Sequence, residues 1–257
     1  MNDLINQELK NNILKITLNN PLAQNTLSLD IINNLKKIIL NADTNNEVKV
    51  VIIASTGKIF SAGHNLKEIN THRKDKDKGL DFFTSLINSC SDLMLSIIHN
   101  SKPVIAEVNG VATAAGCQLV ASCDLAYASD ISKFATPGVN IGLFCSTPMV
   151  ALSRVVKNKH AMEMLLTGDF INTDQAKSIG LINNSFEEKE LFNEINLIAN
   201  KLSEKSILTL KIGKKAFYNQ SEMKITDAYR YASEVMIKNM MAKDSEEGIR
   251  AFIEKRN

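Results

Sequence analysis

Cysteine, proline and tryptophan are scarce in this chain. Its 257 residues include four cysteines, four prolines and no tryptophan. The cysteines form no C-x-x-C pair, and the N-terminal segment MNDLINQELKNN has no apolar run, so neither a disulfide framework nor a secretory signal is indicated. We therefore expect reduced thiols and a cytoplasmic location, or an organellar matrix if a presequence has been removed.

An excess of charge of one sign is also missing. Thirty lysine and arginine residues face twenty-eight aspartate and glutamate residues, a net charge of +2. This balance creates no long-range attraction for nucleic acid or an anionic membrane surface. The apolar runs are far shorter than the roughly 20 residues that cross a bilayer. We expect no nucleic-acid partner and no membrane span, and His72, His99 and His160 do not indicate a metal site.

The length of the chain favours one large α/β domain, with or without a helical appendage. Four short runs rich in β-branched and small residues are typical of buried strands: 12–18, 48–55, 103–110 and 123–129. Helices are predicted between them, at 28–41 behind the N-capping Ser28, at about 78–99, and in the small-residue stretch VATAAGCQLVA. Strands and helices that alternate in this way indicate βαβ units and a parallel sheet.

Beyond about residue 145 the pattern becomes mostly helical. Apolar residues recur at helical spacing in six runs: 147–156, 158–167, 187–203, 206–219, 226–242 and 245–255. The last helix is predicted to open with Asp244 and Glu247 as a variant capping box. We divide the chain into a core, residues 1–195, and a C-terminal helical region, residues 196–257. The charged segment Thr71–Lys78 is interpreted as a mobile loop or a solvated turn.

Two segments rich in small residues each follow a predicted strand. They are KIFSAGHNLKEI, residues 58–69, and VNGVATAAGCQLVASCD, residues 108–124. Small residues let a ligand approach the backbone, and amides at a helix start have no intrahelical acceptor. One N–H from each segment could therefore bind a single carbonyl oxygen. Each segment taken alone is equally consistent with a plain strand-to-helix turn.

Both segments resemble motifs of the enoyl-CoA hydratase/isomerase (crotonase) family. KIFSAGHNLKEI is similar to F-[SA]-A-G-x-D-L-K-E, and NGVATAAGCQLVASCD is similar to N-G-x-A-x-G-G-G-x-E-L-x-x-x-C-D. Further matches in family order lie at residues 20–28, 132–143, 165–183 and 247–256. The resemblance covers nearly the whole chain. It implies an α/β fold with a crotonase-like ββα spiral core and a C-terminal helical region that assembles a homotrimer or homohexamer.

The resemblance also implies a binding frame for an acyl-CoA thioester. The backbone amides of His64 and Ala115 would form an oxyanion hole for the thioester carbonyl. Coenzyme A would be part of the substrate, with no tightly bound cofactor. The residues expected along it are Ala23, Gln24, Asn25, Lys58, Ala62, Asn65, Leu66 and Lys67. Phe252 and Lys255 would reach a neighbouring subunit's ligand, or have a purely structural role.

The chain departs from the family pattern where hydratases carry two catalytic glutamates. Gln118 and Gly138 occupy these positions, and neither side chain can exchange a proton near neutral pH. His64, whose imidazole titrates near neutrality, and Ser146 are candidate replacements, although a solvent-facing histidine is a simpler interpretation. Gln118 could orient a water molecule, and Cys145 is better explained as a buried structural thiol.

Two functions therefore remain open. The first is an enoyl-CoA hydratase or isomerase-like enzyme, weak or using non-standard groups, that stabilises a thioester enolate. The second is a non-catalytic acyl-CoA-binding protein. A nicotinamide-dependent dehydrogenase is disfavoured, because the first strand-to-helix turn, NNPLAQNTLS, contains no glycine to approach a pyrophosphate.

Overall fold

The strands of this chain alternate between two sheets. In the computed structural model, which describes residues 4–256, they are β1 (Ile5–Lys10), β2 (Ile13–Leu18), β3 (Val50–Ser55), β4 (Ile59–Ser61), β5 (Val104–Val108), β6 (Val111–Thr113), β7 (Leu125–Ser129), β8 (Lys133–Ala135), β9 (Ile171–Asn172) and β10 (Asn184–Phe186). The larger sheet has the order β1-β2-β3-β5-β7-β10, and the smaller has the order β4-β6-β8-β9. Neighbours are parallel, except for the antiparallel pairs β1 with β2 and β8 with β9.

The helices connect and cover these strands. They are α1 (Leu29–Thr44), α2 (Leu66–His72), α3 (Leu80–Ile98), α4 (Ala115–Ser122), α5 (Ser146–Val155), α6 (Asn158–Thr167), α7 (Thr173–Ser178), α8 (Leu191–Ser203), α9 (Ile207–Ser221), α10 (Ile225–Met240) and α11 (Lys243–Ile253). Short 3-10 turns occur at Pro21–Ala23 and Pro137–Ile141. The order β3-β4-α2, then β5-β6-α4, then β7-β8-α5 repeats a ββα unit. In each unit the first strand joins the larger sheet and the second joins the smaller, as the resemblance implies.

Burial on both faces explains why β3 is an unbroken apolar run. Val51 and Ile53 belong to the main core beneath α1 and α3, whereas Val50 and Ile52 face a second cluster beneath α8. Successive strand side chains point to opposite faces, so a strand covered on both sides needs apolar residues throughout. The four strands predicted from such runs are confirmed as β2, β3, β5 and β7. Helix α1 is confirmed too, with the Ser28 hydroxyl accepting from the Ile31 amide at 3.3 Å.

Three expectations about local structure need correction or refinement. The small-residue stretch predicted as a helix begins as a strand, β6, because its first three residues complete the smaller sheet, and α4 starts only at Ala115. The capping box at Asp244 is wrong: α11 starts two residues earlier, with Ala242 as its N-cap and no side-chain cap. The charged segment forms a solvated turn, in which the Asp77 carboxylate accepts from the Gly79 and Asp81 amides at 3.0 and 2.8 Å.

The C-terminal helices divide into two groups. Helix α8 crosses residue 195 and buries Leu191, Ile195 and Ala199 against the larger sheet. Helices α9 to α11 pack mainly on one another, and Ala228 is the one buried residue within their bounds. The division of the chain at residue 195 therefore stays a prediction. None of the described helices combines the length and the apolar character needed to cross a membrane.

A buried ionic network attaches α9 to the core. The Lys214 ammonium donates to Asp124 Oδ2 at 2.7 Å and to the carbonyl oxygens of Ile97 and Lys102 at 3.0 Å each. Tyr218 donates its hydroxyl to Asp124 Oδ1 at 2.9 Å. The Lys214 and Asp124 side chains are only 9% and 16% exposed. Since burial of an ion pair requires well-placed partners, this network is the main polar anchor of the last three helices on the core.

Candidate functional site

The two small-residue segments meet at the first turn of α4. A Cβ atom built on Gly63 would lie 3.2 Å from the Ala115 nitrogen and 2.9 Å from the Ala114 Cβ. One built on Gly116 would lie 2.3 Å from the Ser61 carbonyl oxygen. Gly63 also has φ +84°, a conformation that residues with a Cβ rarely adopt. Glycine at both positions lets the end of β4 and the start of α4 come into backbone contact.

The backbone at the start of α4 is strained. Ala114, the N-cap, has φ 50° and ψ −118°, outside the regions that non-glycine residues favour. Its amide donates to the Ala135 carbonyl at 3.0 Å, which ties α4 to the end of β8. Strained conformations of this kind persist where surrounding contacts enforce them, and they concentrate at functional sites.

Both amides expected to bind a thioester oxygen lie outside the local hydrogen-bond ladders. The first intrahelical bond of α4 runs from the Gln118 nitrogen to the Ala114 oxygen, 3.0 Å away, so the Ala115 amide precedes it. His64 forms an isolated parallel bridge with Leu27, in which the Leu27 amide donates to the Gly63 oxygen at 2.8 Å. That bond uses the residue before His64. The geometry therefore brings two chemically suitable amides into neighbouring segments.

The His64 side chain is half-buried, and its ring nitrogens are turned away from solvent toward the protein. Its Nδ1 lies 3.3 Å from the Leu27 carbonyl oxygen. Because a carbonyl can only accept, Nδ1 carries the hydrogen and Nε2 presents a lone pair. Burial lowers the pKa of His64, against the opposing effect of the Leu27 hydrogen bond. Nε2 is buried and has no partner in the part of the chain that the structure describes, so a solvent-facing imidazole is not what is found.

Two more unpartnered polar atoms lie in the adjoining segments. Gln118 is 4% exposed and Thr136 is 1% exposed, and neither Gln118 Oε1 nor Thr136 Oγ1 has a hydrogen-bond partner among the described residues. Together with His64 they supply three of the six buried side-chain atoms without partners in residues 4–256. Buried polar groups normally find partners, so this concentration marks a region that a ligand or water completes. Thr136 was missed from the sequence; its only signal is a polar residue beside Pro137.

At Gly138, the position of the second family glutamate, the surrounding chain leaves no space for a side chain. Gly138 is buried in the turn Pro137–Ile141, and a Cβ there would lie 2.4 Å from the Leu143 carbonyl oxygen and 2.9 Å from Cys145 Sγ. Burial raises the pKa of Cys145, opposed by a backbone hydrogen bond from Gly138, which fits a structural thiol. Ser146 is exposed, and its hydroxyl donates to the Phe144 carbonyl at 3.3 Å. Nothing among the described side chains activates it.

The residues expected along coenzyme A lie in three segments of the chain: residues 23–25, Lys58 and residues 62–67. Gln24 and Asn25 have left-handed backbones, with φ 56° and 48°, and the Ala62 amide donates to the Gln24 carbonyl at 3.1 Å. Asn25 is internal: it donates to the Thr56 and Ile59 carbonyls at 2.8 and 2.7 Å. Asn25 therefore shapes the loop, and its buried side chain is occupied by these internal hydrogen bonds.

The remaining residues expected along coenzyme A differ in their exposure. Asn65 caps α2, accepting from the Lys67 and Glu68 amides at 3.0 and 3.2 Å. The exposed residues of the set are Gln24, Lys58, Leu66 and Lys67, whereas Ala23, Ala62 and Asn65 are half-buried. Two of the four are lysines, which suits an anionic phosphate group.

The two residues expected to reach a neighbouring subunit's ligand, Phe252 and Lys255, are both exposed. Phe252 is 86% exposed on α11, and Lys255 follows the helix with φ 53°. Helix α11 packs on α10.

A concavity of about 230 Å³, bordered by Lys10, Lys15 and Phe192, lies on the α8 side of the larger sheet. None of the expected site residues lines it.

Repeated ββα units whose strands alternate between two sheets, with α4 starting at the end of β6, define the crotonase class of α/β protein. The chain belongs to the enoyl-CoA hydratase/isomerase family, whose sequence model matches residues 8–257. The fold predicted from the resemblance is confirmed by solved structures. Human enoyl-CoA hydratase domain-containing protein 3 superimposes with a TM-score of 0.94 at 44% identity, covering 99% of both chains. An enoyl-CoA hydratase from Mycobacterium smegmatis gives 0.95 at 42% identity, covering 99% of this chain and 98% of that one.

A similar sequence comes from Xenopus laevis. Its protein, called enoyl-CoA hydratase domain-containing protein 3, mitochondrial, is 50% identical over 205 residues, which are 80% of this chain and 68% of the relative. This relative is mitochondrial by name, so it gives no support to a cytoplasmic location for the present chain. It agrees with the alternative of an organellar matrix.

Proposed function

We propose that this chain binds an acyl-CoA thioester with the carbonyl oxygen between the amides of His64 and Ala115, and stabilises the enolate that forms from it. The observation that carries the proposal is the contact of the Gly63 turn with the Ala115 nitrogen at the start of α4. Two fixed amides polarise the carbonyl and hold the negative charge that develops on its oxygen. Deletions of comparable donors cost roughly 3 to 4 kcal/mol in the transition state.

The reaction we propose is hydratase-like or isomerase-like and slow. Each acid or base that the family hydratases place at the reacting carbons contributes about 10² to 10⁴ in rate, and Gln118 and Gly138 supply neither. The candidate base is His64: burial disfavours its charged form, and the Nδ1 hydrogen bond to the Leu27 carbonyl leaves the lone pair of the neutral form on Nε2. A non-catalytic acyl-CoA-binding role is the second candidate, favoured by the same two missing carboxylates.

The proposed assembly is a homotrimer or homohexamer. Large apolar side chains are exposed along α10 and α11, notably Met241 at 82%, Phe252 at 86% and Ile253 at 72%. Large exposed apolar side chains gathered on neighbouring helices favour a protein interface over free surface. A neighbouring subunit would also bring Phe252 and Lys255 to a ligand. The mitochondrial relative supports placement in an organellar matrix.

Two glycine variants test the thioester site directly. Gly63→Ala would place a methyl group against the Ala115 amide, whereas Gly142→Ala meets nothing within 4 Å. Both positions have positive φ, +84° and +75°, so both variants carry similar backbone strain. The measurement is the shift to longer wavelength of the absorbance of cinnamoyl-CoA, whose conjugated thioester reports polarisation of its carbonyl. We expect the shift with the wild type and Gly142→Ala, and its loss in Gly63→Ala.

The absence of a shift with the wild type would refute the proposed site.

A second experiment distinguishes an enzyme from a non-catalytic binding protein. Crotonyl-CoA hydration is followed with the wild type, Gln118→Glu and the matched neutral variant Gln118→Leu. Gln118→Glu restores one carboxylate, and a gain of hydration in it alone indicates an intact frame with altered acid-base groups. Gly138→Glu is unsuitable, because its Cβ would collide with the Leu143 carbonyl oxygen.

A further inference from the structure

Strand β1 forms one edge of the larger sheet. It pairs with β2 on one side, and no strand within residues 4–256 pairs with it on the other. Every residue from Asn6 to Lys10 is exposed. The opposite edge strand, β10, has only three residues, all half-buried. Because an edge strand presents unpaired amides and carbonyls, β1 is the edge of this sheet that can accept another strand.

The pairing of β1 with β2 decides which of its backbone groups face outward. The Asn19 amide donates to the Leu4 carbonyl at 2.8 Å, so this carbonyl points toward β2. In an antiparallel pair, successive residues direct their backbone groups alternately toward and away from the neighbouring strand. The even-numbered residues of β1 therefore bond to β2. The amides and carbonyls of Ile5, Gln7 and Leu9 point to the open edge.

The outward-facing residues are complementary to themselves when two copies of β1 run antiparallel about Gln7. In this register Gln7 faces Gln7 of the second copy, and Ile5 faces Leu9 in both directions. Each facing pair exchanges two backbone hydrogen bonds, so every outward amide and carbonyl of the strand is used. The two apolar pairs cover Leu9, which is 41% exposed in the single chain.

The charged residues of β1 are compatible with the same register. Asn6 faces Glu8, whose carboxylate can accept from the Asn6 side-chain amide, and Lys10 faces Leu4. No two charges of one sign are directly opposed. A lysine on an edge discourages pairing where its charge would be buried. Lys10 is the last residue of the strand, next to the exposed turn at residues 11–12, so its ammonium stays in water.

We propose that two copies of this chain associate through β1, in an antiparallel two-fold contact that joins their larger sheets into one continuous sheet. The partner is a second copy because the exposed sequence matches itself in register, polarity and charge. A two-fold contact uses the same patch on both chains and is closed, so it does not extend into fibres. It uses a different element from α10 and α11, and it does not depend on acyl-CoA binding.

Proline at residue 7 tests this contact while leaving the pairing with β2 in place. The Gln7 amide points to the open edge, and proline is tolerated on an edge strand where the missing N–H faces outward. The matched control Gln7→Thr keeps the amide and favours a strand. Sedimentation velocity measures the mass of each assembly. We expect Gln7→Thr to match the wild type, and Gln7→Pro to form a species of half that mass or less.

Cysteine cross-linking tests the register of the two strands. Gln7→Cys places two thiols on facing residues, whose Cα atoms would lie about 5.5 Å apart, within reach of a disulfide. Leu9→Cys would place them about 13 Å apart along the strands, which is too far. The four native cysteines are buried. With copper phenanthroline as oxidant, we expect a cross-linked dimer from Gln7→Cys and none from Leu9→Cys.

The contrary results are equally definite. Equal masses for the wild type and Gln7→Pro overturn the inference, provided that Gln7→Pro and Gln7→Thr unfold at the same urea concentration. If Gln7→Pro unfolds earlier, the cross-linking decides, and the absence of a dimer from Gln7→Cys overturns the inference. Either result would assign the open edge of β1 to an extended segment of another protein.

Discussion

Replacement of Lys214 by methionine should greatly destabilise the protein. Methionine preserves the length and apolar stem of lysine but removes the ammonium that contacts Asp124 at 2.7 Å and two carbonyl oxygens at 3.0 Å. Asp124 would then be a buried carboxylate without its cation. Breaking one side of a buried pair typically costs about 3 to 5 kcal/mol, so we expect the free energy of unfolding to fall by about that amount.

The exposed neighbour Lys215 provides a matched control on the same helix. Lys215→Met changes the same atoms in a solvent-exposed position, and a shift within about 0.5 kcal/mol is expected. The assay is urea unfolding followed by circular dichroism. Hydrogen exchange should show faster exchange in α9 to α11 than in the wild type. A loss below about 1 kcal/mol in Lys214→Met would refute the claim that this network anchors the last helices.

The same variant makes a prediction about pH. Burial raises the pKa of Asp124, and the Lys214 ammonium opposes that rise. Without the ammonium the pKa of Asp124 rises further. A carboxyl whose pKa is higher in the folded than in the unfolded state favours folding when protonated, and that contribution is lost as pH rises through the folded pKa. The loss in free energy of unfolding caused by Lys214→Met should therefore be smaller at about pH 5 than at about pH 7.5.

Three further predictions concern the site and the core. Gly138→Ala should lower the free energy of unfolding, measured by urea titration, by about 1 to 3 kcal/mol, because its Cβ would lie 2.4 Å from a carbonyl oxygen. The control Gly213→Ala lies in a helix with no atom within 4 Å of the new Cβ, so it should leave stability unchanged or raise it. Burial lowers the pKa of His64, so its contribution to stability is present above its unfolded pKa and lost as pH falls through the lowered value; His64→Gln should lack this loss. Cys90 and Cys117, whose pKa values burial raises to about 12, should react with a thiol reagent only after unfolding, and fast reaction of the native protein would contradict this.

Local patterns in the sequence were sufficient for most of the long elements. The runs in β3 and β5 have the composition of strands covered on both faces, and α1 has both a cap and a regular apolar stripe. The three-residue strands β4, β6 and β8 were not predicted. They are too short for a periodic signal, and they exist because they pair with one another across the smaller sheet.

The sequence by itself determined the family, the position of the two small-residue segments and the loss of both glutamates, because these depend only on which residues stand where. Tertiary structure decided the rest. The approach of Gly63 to the Ala115 amide, the closed space at Gly138, and the isolation of Gln118 and Thr136 all depend on backbone from other parts of the chain. Contacts between segments far apart in sequence set which atoms are buried and which find partners, and one chain's local pattern does not contain that information.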